Sequence, residues 1–266
     1  MPKDAVTVAD LMEMKSRGEK ISALTAYDYP SGRLIDEAGI DIALVGDSLG
    51  RVVLGYDNEL QVTMEDMIRH TAAVARAVKR AMVVADMPFM SFQVSVEEAV
   101  RNAGRLVAEG GAHAVKVEGA HAAKAISRIV TCGIPVIGHL GFTPQSIHAL
   151  GLRVQGRDEA GAVRIKDEAS ALQDAGVCAV VLELIPAQLA AEITLSLTVP
   201  TIGIGAGPDC DGQVLVAHDI LNMYDRLKPS FAKQYADIWT ATLEAFKNYN
   251  ADVKSGVFPV RKKPME

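Results

Sequence analysis

The sequence predicts a single (β/α)8 TIM barrel spanning residues 1–266, and three observations carry that expectation. Eight short, β-branched apolar runs recur along the chain, helical patterns separate most of them, and the length of 266 residues suits one barrel of about 250. No stretch has the composition of a linker.

The runs are 21–26 (ISALTA), 41–46 (DIALVG), 81–86 (AMVVAD), 112–118 (AHAVKVE), 134–139 (IPVIGH), 177–183 (VCAVVLE), 199–205 (VPTIGIG) and 214–219 (VLVAHD). Short continuous apolar runs of this kind are what strands covered on both faces of a parallel sheet need. Aromatic residues are only 5% against 49% hydrophobic overall, so aliphatic side chains must fill the core. The rival architecture is an open doubly wound sheet, but its GxGxxG fingerprint after the first strand is missing.

Helices are expected at 30–38, 63–79, 95–109, 121–131, 162–175, 187–197 and 229–249. In 63–79, Met64, Met67, Ile68, Thr71, Val74, Ala75 and Val78 form one stripe, with Glu65, Arg69, Arg76 and Lys79 opposite. Ser95 followed by Glu98 reads as a capping box. Gly39, Gly110-Gly111, Gly133 and Gly176 stand where a helix must stop before the next strand. Two segments break the rhythm. Residues 206–213 replace the seventh helix with a short turn. Residues 140–161 form a connection of about 20 residues, where about 2–6 is usual, and a loop that long suggests a cover over the site.

Composition narrows the function. A formal charge of −6 argues against nucleic acid, which needs a basic face, and Arg261-Lys262-Lys263 reads as a solvated tail. Cys132, Cys178 and Cys210 form no CxxC pair and fit a reducing cytoplasm as small buried hydrophobes. Residues 1–20 are too charged for a signal peptide, and no apolar run reaches the ~20 residues needed to span a bilayer. A cytoplasmic protein with small-molecule substrates, and neither nucleic-acid nor membrane partners, is therefore expected.

In this fold catalytic groups sit at the C-terminal ends of the strands. Those ends are Tyr27 and Asp28, Asp47 and Ser48, Asp86, Lys116 and Glu118, His139, Glu183, Gly205 with Gly207, and His218 with Asp219. Any one of them alone could be a helix N-cap or a salt-bridged strand end. Together they must converge on one barrel mouth, where Asp47, Asp86, Glu118 and Glu183 would repel one another strongly. A divalent cation relieves that repulsion, and hard oxygen ligands select Mg²⁺. Lys116 could then attract an anionic substrate group. His139 reads equally as a ligand or as a structural hydrogen-bond donor. The glycines 203–207 could bind phosphate or could simply allow a tight turn. Met64, Met67, Met82, Met87 and Met90 read as core filling.

The strand-end segments LVGDSLG (44–50), ADMPFMS (85–91), VKVEG (115–119), GHLGFTPQS (138–146), VLELIP (181–186) and GIGAG (203–207) together resemble the 3-methyl-2-oxobutanoate hydroxymethyltransferase family, also called ketopantoate hydroxymethyltransferase. The likeness runs from about residue 4 to about residue 248, and the order and spacing of GDSLG and GHLGFTPQS make it specific. The resemblance implies Mg²⁺ held by Asp47 and Asp86 with Glu118 supporting, Ser48 and Lys116 gripping a 2-oxo acid, Glu183 as base, and a supporting hydrogen bond from His139. It also implies a place in pantothenate synthesis, 5,10-methylenetetrahydrofolate as co-substrate, kinship with phosphoenolpyruvate mutase and isocitrate lyase barrels, and a homo-oligomer, a decamer. Burial in the apolar strand 181–186 would strengthen Glu183 as a base. Arg51 stands where the family commonly has methionine, and the ending RKKPME departs from the family's acidic-His-Ser close.

Two other functions compete. A Mg²⁺-dependent C–C lyase or mutase would usually carry a loop cysteine as acid, and no cysteine here is so placed. A silent scaffold on the same barrel would have no reason to keep a costly charged mouth.

Overall fold

The computed structural model describes residues 5–225 and 229–260; the tail at 261–263 lies outside them. The chain divides into two compact units, Met1–Val216 and Ala217–Glu266. In the first unit eight parallel strands close into a barrel in sequential order, with β8 pairing back onto β1. The strands are β1 Ile21–Thr25, β2 Ile42–Val45, β3 Met82–Asp86, β4 Ala114–Glu118, β5 Val136–Gly141, β6 Ala179–Glu183, β7 Thr201–Ile204 and β8 Gly212–Leu215.

Around them run α1 Val8–Arg17, α2 Tyr29–Glu37, α3 Leu49–Val52, α4 Met64–Ala77, α5 Val96–Ala108, α6 Ala123–Thr131, α7 Ile147–Leu150, α8 Glu159–Asp174 and α9 Ala187–Ser196. Their starts are chemically marked. Thr7, Asp28 and Thr63 each close a reciprocal capping box. Ser95 caps α5 by accepting the Glu98 N–H at 3.1 Å. The expected box is thus seen through its serine half. The glycine stops hold: Gly39, Gly111, Gly133 and Gly176 all have positive φ, which an L side chain resists.

The core has two layers. One packs the outer faces of the strands against the helices, with Met67, Val74, Leu106, Ile126, Ile129, Ile165 and Leu172 fully or almost fully buried. The other fills the barrel with Ile21, Ala23, Ile42, Leu44, Met82, Val84, Ala114, Ile137, Ala179, Val181, Ile202 and Val214, joined by Leu11 of α1 and by Val6. Strand side chains alternate with period two. Met82 and Val84 therefore put Asp86 on the inward side, and Ala114 puts Lys116 and Glu118 there. By the same count Ile137 brings His139 inward, and Ala179 with Val181 brings Glu183. The lower barrel is aliphatic and the upper end of the same faces is charged.

Several expectations need correction. The last strand is Gly212–Leu215, not 214–219, so His218 and Asp219 lie in the short helix α10 Ala217–Ile220 and not at a strand end. Gly212 explains the shift: a Cβ there would meet the Ile21 carbonyl oxygen at 2.4 Å, so closure against β1 needs glycine at that point. The expected helix 229–249 is observed as α11 Ile238–Ser255, begun by Asp237 accepting from the Thr240 N–H. Helix α1 was not anticipated. Cys178 and Cys210 are buried, but Cys132 is exposed, and Met90 is half exposed with positive φ instead of filling the core.

Among the described residues no helix is long and apolar enough to cross a membrane. The second unit contains α10 and α11. None of the residues of α11 is buried, and Trp239, Leu243, Phe246, Tyr249 and Val253 are exposed on it.

Candidate active site

The inward charged ends of β2, β3, β4, β5 and β6 meet in one network. Ladder register already makes neighbours of several of them: Asp86 pairs with Lys116, Glu118 with His139, and Gly141 with Glu183. Asp47 follows β2, and its backbone N–H donates to Asp86 Oδ2 at 2.9 Å. Gly46 makes room for this turn, since a Cβ there would sit 2.7 Å from Ser48 Oγ. Ser48 opens α3 without capping it, and its hydroxyl instead meets the Tyr27 hydroxyl at 2.8 Å.

Lys116 is buried, with Nζ 3.1 Å from Asp86 Oδ1 and 3.3 Å from His139 Nδ1. The Asp86 contact has ion-pair distance but not hydrogen-bond direction, so Oδ1 has no hydrogen-bond partner. Burial alone would lower the lysine pKa; the Asp86, Glu118 and Asp47 carboxylates outweigh it and hold the ammonium firmly protonated. His139 lies at the centre. Its Nδ1 is 3.4 Å from Glu118 Oε1 and its Nε2 is 3.2 Å from Glu183 Oε2. Burial and Lys116 push its pKa down, but Glu118 and Glu183 push harder and raise it.

The carboxylates differ in environment. Burial raises Asp47 well above the usual carboxylate range, and the Asp86 and Glu118 charges add to the effect. Burial would raise Glu118 too, but His139, Lys116 and the Gln145 N–H, which donates to Oε2 at 3.1 Å, bring it below its ordinary value. Glu183 has a side chain 15% exposed, against 3–4% for His139 and Glu118. It is the member of the acid set that an incoming molecule could reach.

Of the strand-end candidates, Asp47, Ser48, Asp86, Lys116, Glu118, His139 and Glu183 fall in or beside this network. Asp28 does not: it is the N-cap of α2. The glycines after β7 have a local explanation, since Gly205 and Gly207 have positive φ and a Cβ on Gly207 would lie 2.4 Å from Ala187 Cβ.

Two residues escaped sequence reasoning. Gln145 is buried and its Nε2 donates to Asp47 Oδ2 and to the Met87 carbonyl, both at 2.9 Å. Glu59 is buried at the start of the 3-10 turn Glu59–Gln61 and meets Arg51 Nη1 at 3.4 Å, which gives the unusual Arg51 a partner. Burial raises the Glu59 pKa and Arg51 opposes the rise. Gln145 lay inside the GHLGFTPQS segment, but a neutral residue in a loop gives no charge signal.

Comparison with known proteins identifies the fold and the family. Solved structures with the same fold include phosphonopyruvate hydrolase in complex with oxalate and Mg++ (TM-score 0.64, 14% identity, covering 96% of this chain and 88% of that one). Another is 2,3-dimethylmalate lyase, a PEP mutase/isocitrate lyase superfamily member (TM-score 0.61, 14% identity, covering 97% and 91%). At such identities the likeness concerns the fold. Sequence relatives are far nearer. The 3-methyl-2-oxobutanoate hydroxymethyltransferase of Moorella thermoacetica is 58% identical over 259 residues, 97% of this chain and 96% of the relative. That of Carboxydothermus hydrogenoformans is 56% identical over 261 residues, 97% and 95%. The sequence model of the family described as ketopantoate hydroxymethyltransferase matches residues 5–261, and the chain belongs to that family of hydroxymethyl-transferring enzymes.

Proposed function

We propose that the chain transfers a hydroxymethyl group from 5,10-methylenetetrahydrofolate to 3-methyl-2-oxobutanoate, giving 2-dehydropantoate, with Mg²⁺ held by Asp47 and Asp86. The observation that carries this reading is the placement of a reachable carboxylate, Glu183, beside a buried ring of acids that is short of positive charge.

The donor set fits a hard cation. The Asp47 carboxyl is forced upward by burial and by its neighbours, and Asp86 Oδ1 and Glu118 Oε1 have no hydrogen-bond partners. Among the described residues no three His, Cys, Asp or Glu side chains converge as a complete ligand set. Mg²⁺ does not need one, because it usually takes one or two carboxylates and fills its remaining positions with water and substrate oxygens. Glu118, already engaged by His139 and the Gln145 N–H, supports from beside the two aspartates. When bound, the ion would supply positive charge beside the keto oxygen and so make the C3 proton easier to remove.

The chain's own residues then have distinct tasks. Glu183 accepts the C3 proton, with the His139 ring 3.2 Å from its carboxylate. Lys116 stays protonated and opposes the negative charge that grows on the substrate oxygen. Ser48, backed by the Tyr27 hydroxyl, offers a hydrogen bond to the 2-oxo acid. Water converts the folate-borne methylene to a one-carbon unit at the aldehyde level, breaking its bonds to nitrogen and releasing tetrahydrofolate; the deprotonated C3 bonds to that carbon, whose oxygen takes up a proton to become the hydroxyl.

The test is formation of 2-dehydropantoate from the two substrates, with Mg²⁺ and with a chelator. Product lost on chelation supports both the reaction and the metal, and product that survives thorough chelation removes Mg²⁺ from the reading. Self-association belongs to the same proposal. An 18-residue helix, α11, with no buried residue and five large apolar side chains exposed is suited to an interface between chains. Light scattering that finds a monomer would remove it.

A further inference from the structure

Gln145 occupies a position that the reaction above does not use. It sits in the short turn Pro144–Ser146 after β5 and is only 6% exposed. All its side-chain bonding runs inward: Nε2 donates to Asp47 Oδ2 and to Met87 O at 2.9 Å each, and Oε1 accepts from Gln93 Nε2 at 3.3 Å. Its backbone N–H donates to Glu118 Oε2 at 3.1 Å. Reversing the amide would set Oε1 against two acceptors, so this network fixes its orientation.

We propose that Gln145 is a positioning residue for Asp47, holding one oxygen of that carboxylate so that the other keeps a single direction toward a bound cation. The inference rests on the reading of Asp47 as a Mg²⁺ ligand. A carboxylate with one oxygen tied to a fixed amide loses its freedom to rotate. An amide is suited to this task because it gives Asp47 and the Met87 carbonyl a donor each without adding a charge. A lysine or arginine there would neutralise the acids and remove the field that attracts a cation. Groups that orient a ligand in this way commonly contribute 10–100-fold to metal affinity.

The experiment uses the full chain with Gln145→Met, which keeps the length of the side chain and loses both donors. Mg²⁺ binding is measured by titration calorimetry and melting is measured in chelator. A roughly tenfold or greater loss of Mg²⁺ affinity with a cooperative melt is expected, whereas a purely structural amide would move the melt alone. Unchanged affinity overturns the proposal. If the methionine variant does not melt cooperatively, Gln145→Ala is judged by the same two criteria. Should the unaltered chain bind no Mg²⁺, the cation reading falls on its own account. The positioning role falls with it, whereas Mg²⁺ binding that is equal in the unaltered chain and in Gln145→Met overturns the positioning role alone.

Discussion

His139 Nε2 lies 3.2 Å from Glu183 Oε2, while Nδ1 of the same ring lies 3.4 Å from Glu118 Oε1 and 3.3 Å from Lys116 Nζ. The imidazole therefore lies between the reachable carboxylate and the buried charges, at ion-pair distance from Glu183. A base in that position can be removed without dismantling its surroundings.

Glu183→Gln is accordingly expected to bind 3-methyl-2-oxobutanoate nearly as well as the unaltered chain. Its exchange of the C3 proton should fall by about 10²–10⁴-fold, the usual contribution of a general base. Proton NMR in deuterated water reads the exchange without the folate, and normal exchange would assign the base to another residue.

Gly141 offers an independent way to disturb the same carboxylate. Its φ is +93°, and a Cβ built on it would lie 2.1 Å from the Glu183 carbonyl oxygen. Gly141→Ala must therefore shift the end of β6 as well as adopt an unfavourable φ. A stability loss above about 1 kcal/mol is expected. Displacing a catalytic group by about 1 Å can cost about 10²-fold in rate. Urea unfolding and turnover should both fall; unchanged turnover would show that β6 absorbs the shift.

The metal-free site should be strained by its own charges. Asp47 is buried beside Asp86 and Glu118, and its carboxyl is raised well above the usual range. Asp47→Asn removes one repelling charge and keeps an acceptor for Gln145. In chelator its melting temperature should rise by about 2–4 °C, the change that goes with about 1 kcal/mol in a chain of this size, while Mg²⁺ affinity falls. Calorimetry that finds a lower melting temperature would mean that the acids are already balanced without a cation.

How much of this could be read from the sequence differs between elements. The charged ends of β2 to β6 were legible because a charge at the end of an apolar run has few explanations. Strand β8 was misplaced because VLVA continues the apolar pattern beyond Leu215, and only contact with Ile21 shows why the strand must start at Gly212. Asp28 was open to either reading and is a cap, since both tasks use the same residue type at the same place on a strand end. Gln145 and Glu59 were missed because their partners are 98 and 8 residues away, and nothing local marks them as buried.

Away from the site, Asp36 predicts a pH effect. Its carboxylate accepts the backbone N–H groups of Lys79, Arg80 and Ala81 at 3.0, 2.8 and 2.9 Å. Partial burial would raise its pKa, but these three bonds prevail and lower it. A lowered carboxyl stabilises the fold at all pH above its unfolded value, near 3.8, and loses that contribution as pH falls through the lower folded value. Asp36→Asn keeps Oδ1 as acceptor but loses Oδ2, which should cost about 1 kcal/mol at pH 7. The difference from the unaltered chain should shrink below about pH 4; a difference independent of pH would exclude the charge as its source.

The connection between β5 and α8 is anchored at two points that flank an exposed stretch. Gln145 ties its start to Asp47, and near its end the Gln155 N–H donates to the Leu184 carbonyl at 2.9 Å, one residue beyond Glu183. Between the anchors Gly151, Leu152 and Arg153 are exposed. A ligand that engages Asp47 and Glu183 acts on the residues to which both anchors attach, so its binding should restrain the stretch between them. Trypsin cleavage after Arg153 is expected to slow several-fold when 3-methyl-2-oxobutanoate and Mg²⁺ are added together. Arg17, exposed on α1 at the far end of β1, serves as the reference site and should be cut at the same rate in both conditions. Equal protection at Arg153 with and without substrate would show that this connection does not close over the site.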